Sequence, residues 1–188
     1  MRVEAILSVA DLMALAAQFM PFSVELGGEG SLVVTDPSDL TLLAGNGVRV
    51  VCKAKLKWPV LGIVVPVTVQ SLALVVQPEI AKTTDGEALL LKLEVEHADL
   101  AGVPTFVDKR ITEKVNAALA EKHVELAWNF AGTLNHAFAL PKSLAPLEAF
   151  ALSVIGARVV VTAEAMGFSV AFQSSVTRSP APSQIDVQ

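Results

Sequence analysis

The residues with the most chemistry to offer are three histidines, one cysteine and two tryptophans, and their spacing offers little of it. His97, His123 and His136 include no pair four residues apart, the separation that puts two imidazoles on one helical face for zinc. His97 stands near Glu94, Glu96 and Asp99. On a strand, residues of like parity share a face, so His97 and Asp99 point together and the two glutamates point away. Two donors fall short of a metal set. The plain reading is a solvated strand end, with a His97–Asp99 acid–base pair as the one enzymatic alternative. His123 follows a predicted helix, whose C-terminal carbonyls favour a cation, and His136 reads as a loop residue. Cys52 is a single cysteine, which leaves no internal disulfide and no cysteine-cluster metal site. It falls on the apolar side of its strand, the setting of an inert thiol.

Other chemical signatures are missing as well. No Gly-x-Ser-x-Gly elbow and no phosphate loop with Gly-Lys-Ser or Gly-Lys-Thr occurs. Gly27-Gly28-Glu29-Gly30 reads as a turn. Lys53, Lys55 and Lys57 form a row with Arg49, the ordinary wet side of a strand, and Glu94 and Glu96 sit with Lys92 on another. No cofactor or metal is expected, and the chain reads as non-enzymatic. A net charge of −5 argues against nucleic acid and anionic lipid surfaces, which need clustered Lys and Arg.

What the chain has in surplus is apolar strand. Hydrophobic residues make up 53% of its 188 residues and charged residues only 18%, more apolar than an average soluble domain. Val48, Val50, Cys52, Ala54, Leu56 and Trp58 alternate with charged neighbours, giving one greasy and one wet face. From Ile63 to Val76 the run is apolar on both faces and must be covered on both. Gly62 and Pro66 interrupt it, so it is not a membrane helix. Arg2, Glu4 and Asp11 deny the N-terminus the core of a signal peptide, which makes the cytoplasm the default compartment, or the periplasm had a signal been removed.

The elements follow from these patterns. Ser8 and Asp11 make a capping box for a helix over about 8–20. Strands are expected at 22–26, 32–35 and 40–43, with Asp36-Pro37-Ser38-Asp39 as a turn. Gly45-Asn46-Gly47 leads into a strand over 48–58. Pro78 closes the two-faced strand, and another strand runs over 87–99. The clearest helix spans about 106–122, with Val107, Ile111, Val115, Ala118 and Leu119 on one stripe. Looser strands follow at 124–130, 150–155, 158–166 and 168–172, with hairpin turns at Gly156-Ala157 and Gly167. Residues 1–173 read as one domain and 174–188 as a loose tail. Strands that follow one another, rather than alternating with helices, favour an antiparallel α+β design.

In this order of elements, Gly47 to Met166 resembles the tubular lipid-binding (TULIP) superfamily in its short bacterial forms. The likeness rests on the long strands of 47–99, the helix carrying Ile111-Thr112-Glu113-Lys114-Val115-Asn116-Ala117-Ala118-Leu119, the proline-bracketed link Leu140-Pro141-Lys142-Ser143-Leu144-Ala145-Pro146-Leu147, and the closing pair Val159–Val161 and Phe168–Phe172. It covers about two thirds of the chain. The resemblance implies a strongly curved antiparallel sheet wrapped around the 106–122 helix, with an apolar channel between them for a lipid or fatty-acyl-like ligand. The lining would then be Val50, Leu56, Trp58, Val67, Leu91, Leu93 and Val95 from the strands, and Ile111, Val115 and Leu119 from the helix. Many bacterial members are exported or lipid-anchored, and this chain shows neither a signal nor an anchoring cysteine. The alternative is a structural module that uses an apolar face for a protein partner or for self-association as a homo-oligomer.

Overall fold

A computed structural model describes the backbone of residues 1–26, 30–60, 63–83, 86–100, 105–122 and 127–178, and the side chains of these except 59–60, 63–65, 99–100, 105–110 and 121–122. The expected α+β design does not form. The described chain is mostly β, and it builds two curled sheets rather than one sheet wrapped around a long helix. The first has the order β2 (Phe22–Glu25), β3 (Ser31–Leu43), β4 (Gly47–Val60), β5 (Ile63–Thr83), β6 (Gly86–Leu100) and β7 (Ala127–Trp128). The second has the order β1 (Arg2–Ser8), β10 (Ala165–Arg178), β9 (Leu147–Val161) and β8 (His136–Ala139). All pairings in both are antiparallel. The helices α1 (Val9–Phe19), α2 (Thr105–Lys122) and α3 (Phe130–Leu134) are short pieces set on these sheets.

The strands outrun their predicted lengths because several turn signals are absorbed within ladders. β5 passes through both Pro66 and Pro78, which pair with Lys57 of β4 and Leu91 of β6. A proline cannot donate to a ladder, so it is tolerated where a strand has one neighbour only. Among the described residues that condition holds at both sites: β6 pairing ends at Val69, short of Pro66, and β4 pairing ends at Val76, short of Pro78. In β3, the Asp36–Asp39 segment is a pair of bulges with Asp36 at φ 44°, not a turn. Gly156-Ala157 lies inside β9 at a register shift, and Gly167 lies inside β10 between Ile6 and Val160. The strand expected over 124–130 reduces to Ala127–Trp128, and Phe130 already belongs to α3. Residues 174–178 complete β10; the tail beyond them, residues 179–188, and the cap assigned to His123 lie outside the described residues.

The bulges are themselves an architectural device. Register shifts occur at Thr35–Asp39 in β3, between Cys52 and Ala54 in β4, and between Val69 and Ser71 and between Ala73 and Leu74 in β5. They fall side by side across the sheet, since Thr35 pairs with Lys53 and Ala54 pairs with Val69. A bulge bends its strand and increases its twist, so a row of them curls the whole sheet. One result is visible in burial: Val69 and Leu72 are both inside although three residues apart, as are Val95 and Ala98.

The curl gives the six-stranded sheet one concave face that carries two cores. The first gathers Leu32, Val34, Ala54, Leu56, Leu72 and Leu74 under Ile111, Val115 and Leu119 of α2. The second gathers Leu40, Leu42, Val48 and Val50 under Leu12 of α1 and Val161 of β9. α1 begins as its sequence dictates: the Ser8 side chain accepts from Asp11 N–H at 3.2 Å, and the Asp11 carboxylate accepts from Ser8 N–H at 2.9 Å. The Ser8 hydroxyl, donating to the Asp11 carboxylate at 2.6 Å, and then the Ser8 N–H hold the Asp11 carboxyl below its usual range.

Candidate functional site

The residues assigned to a ligand lining divide into three groups. Leu56, Val95, Ile111, Val115 and Leu119 are all buried in the first core and touch one another there. Trp58, Val67 and Leu93 are partly buried against that same core. Val50 lies in the second core, under α1, and Leu91 is half-buried on β6 outside both. The strand parity and the helix stripe thus bring eight of the ten to one place.

Space opens at the edge of this core. A cleft of about 370 Å³ lies where α2 crosses β6, walled by Leu93 and Leu119 and rimmed by Gln77, Lys92, Glu94 and Asn116. Its position follows from the sheet edge. Among the described residues β7 pairs with β6 at Leu89 and Leu90, and at Val95 the outer edge of β6 has a side-chain partner. Asn116 supplies it: Val95 N–H donates to Asn116 Oδ1 at 2.7 Å, and Asn116 Nδ2 donates to Val95 C=O at 3.0 Å. The amide copies a neighbouring strand and holds α2 on the edge. Both of its polar atoms are engaged by Val95, so an apolar guest would not have to desolvate an unpaired amide at Asn116. On the rim, Lys92 is ion-paired with Glu79. Sequence reading missed Asn116, because an asparagine in the middle of a helix looks neutral until the strand edge it meets is known.

His97 and His136 are not among the residues that line this site. The bulge beside Ala73 turns Glu96 and His97 to the same wet face, against the parity expected for them. Glu96 is engaged there by Arg49, which donates from Nε at 2.6 Å and from its terminal nitrogen at 2.7 Å. These hydrogen bonds lower the Glu96 pKa and raise that of Arg49. The pair spans β4 and β6 across the intervening β5. Asp99's side chain lies outside the described residues, and among those described no cluster of three or more His, Cys, Asp or Glu is placed to hold a metal. His136 is exposed and stacks edge-on against Phe138 at 4.5 Å between centroids. Lys114 sits 5.7 Å from the Trp58 ring centre, within cation–π range.

Cys52 is 1% exposed, and its thiol meets the Leu72 carbonyl at 3.4 Å. Burial disfavours the thiolate and pushes the pKa from 9.0 up to about 11. A disulfide reagent at pH 8 is expected to label the native protein orders of magnitude more slowly than the guanidinium-unfolded chain, because the thiolate is the reacting form. The same shift makes a stability statement. The neutral thiol is favoured in the fold, so its contribution is complete below pH 9 and is lost as the pH rises through about 11. Urea midpoints in the wild type and in Cys52→Ser, followed up the pH scale, check it: only the wild type loses stability in that window.

No family model matches the chain. No curated protein matches it either. Among solved structures it is similar to a crystal structure of lipopolysaccharide binding protein, with a TM-score of 0.42 and 10% identity over 98% of this chain. The chain spans about half of that protein, 52% of its length. The likeness is a weak architectural one.

Proposed function

We propose that this chain is a non-enzymatic binder of a hydrophobic ligand, lipid or fatty-acyl-like, taken up at the cleft between α2 and β6. The observation that carries this reading is the cleft itself. It joins apolar walls, Leu93 and Leu119, to a rim amide, Asn116, already satisfied by Val95. Its volume of about 370 Å³ is within the range of small-molecule sites, roughly 300–1,000 Å³. Each methylene removed from water there is worth about 0.8 kcal/mol, so an acyl chain gains affinity without a polar anchor. The surplus of apolar residues and the lack of a catalytic constellation point the same way.

Titration with dansyl-undecanoic acid, read by fluorescence, tests it. The wild type is expected to bind with saturable enhancement. Leu93→Trp, which fills the cleft from a half-buried position, is expected to weaken binding about tenfold or more, a loss of roughly 1.4 kcal/mol. Native mass spectrometry of the gently purified protein is expected to find a co-purified apolar molecule. Absence of any binding by the wild type, or unchanged binding by Leu93→Trp, would overturn the reading.

A further inference from the structure

Several strand edges of this protein are shortened or occupied by specific devices. An open edge presents unpaired N–H and C=O groups, a template for another strand. Three of the terminal strands are very short: β2 and β8 have four residues each and β7 has two. The exposed edge of β6 is closed by Asn116. The edge of β9 beyond β8 is closed by Asn135, which accepts from Val154 N–H at 2.6 Å, and by Glu87, which accepts from Ala157 N–H at 2.8 Å. β1 has none of this. It runs seven residues, pairs with β10 without a register break, and contains neither Pro nor Lys. All of it is exposed except half-buried Leu7, with Val3 at 54% and Ile6 at 74%.

The phase of its ladder says which groups are free. Met1 and Phe172 exchange both backbone bonds, at 2.9 and 2.8 Å. Antiparallel pairs alternate, so Met1, Val3, Ala5 and Leu7 turn their peptide groups toward β10. Arg2, Glu4 and Ile6 turn theirs outward. Ser8 is already committed, its N–H donating to Asp11.

We propose that β1 pairs antiparallel with β1 of a second copy of this chain about a two-fold axis, joining the two four-stranded sheets into one. A two-fold interface must be self-complementary, and charge selects the register. With Val3 facing Val3, Arg2 of each copy faces Glu4 of the other, and both are outward-turned residues that can exchange backbone bonds. Arg2 and Glu4 already share a face, 3.2 Å apart, with Arg2 also donating to Ser169 at 3.0 Å. The second copy then completes an alternating row of four charges. Sliding one step places Glu4 against Glu4, and like charges directly opposite are destabilising. Sliding further uses Ser8, whose N–H is spent and beyond which α1 begins. The contact is small, so the dimer belongs to the weak class. This inference does not rest on the ligand reading.

Sedimentation velocity of the full chain at rising concentration tests it, with circular dichroism as a check on folding. The wild type is expected to show a reversible monomer–dimer equilibrium. Glu4→Arg alone and Arg2→Glu alone are each expected to lower self-association about tenfold or more, since like charges brought together cost several kcal/mol. Mixing the two folded single variants is expected to restore a dimer, because a row of two guanidinium groups then faces a row of two carboxylates. The double variant is expected to dimerise as the wild type does. A wild type that stays monomeric at every concentration, or association that ignores the single reversals, or a mixture that fails to pair, would each overturn the proposal.

Discussion

Phe130→Ala is expected to lower the free energy of unfolding by about 3–5 kcal/mol. Phe130 is 0% exposed and stands where the two sheets meet. Its ring packs edge-on against Trp128 of β7 at 6.0 Å and against Phe168 of β10 at 5.7 Å, while Trp128 and Phe168 lie 5.7 Å apart. One of these partners belongs to the six-stranded sheet and the other to the four-stranded sheet. Removing the ring leaves a hole bounded by two sheets that cannot close independently, so relaxation recovers little of the loss. Such aromatic pairs add about 0.5–1.5 kcal/mol each beyond the area they bury. Phe138→Ala makes the control, since that ring is 47% exposed at the far strand β8 and should cost under about 1 kcal/mol. Urea denaturation separates the two. Equal midpoints for both variants would show that the seam between the sheets is not held by Phe130.

The second large effect is backbone in origin. Gly30→Ala is expected to cost about 3 kcal/mol or more. Gly30 has φ 137°, a region that side chains of L-residues rarely enter and that costs roughly 1–3 kcal/mol to occupy. A methyl group there would also fall inside the van der Waals envelope of the Lys57 carbonyl oxygen. That carbonyl belongs to β4, whose Lys57 pairs with Ser31, so it cannot step aside without breaking the ladder. Overpacking of this kind adds about 1–3 kcal/mol. Gly45 isolates the two contributions. It has φ 75° in the β3–β4 turn but open space where a Cβ would go, so Gly45→Ala should cost only about 1–2 kcal/mol. Thermal and urea unfolding of the two variants measure the difference. A Gly30→Ala protein as stable as Gly45→Ala would contradict the close approach of β4.

Much of the local structure could be read from residue types. Alternation at Val48–Trp58 and at Leu89–Val95 placed β4 and β6, and the stripe Ile111, Val115 and Leu119 placed α2 with its buried side correct. The capping box at Ser8 and Asp11 was legible as well. These features depend on neighbours within one or two turns of chain, which is why a sequence window suffices for them.

What the residues alone determined is therefore a set of amphipathic segments, β4, β6 and α2 among them. Only the tertiary structure decided how many sheets they make. A proline or a glycine pair ends a strand in isolation, but whether it does so in a fold depends on whether a second neighbour needs its N–H. Among the described residues none does at Pro66 or Pro78, and β5 runs on for 21 residues. Likewise, an asparagine on a helix has no assigned role until a strand edge arrives beside it, as β6 does at Asn116. Pairing partners come from residues far along the chain, and the free edges that remain are set by pairing alone. That is why the apolar surplus of the sequence became two cores with a cleft at the edge of one, and why the open edge of β1 could not be seen before its strand partner, β10, was known.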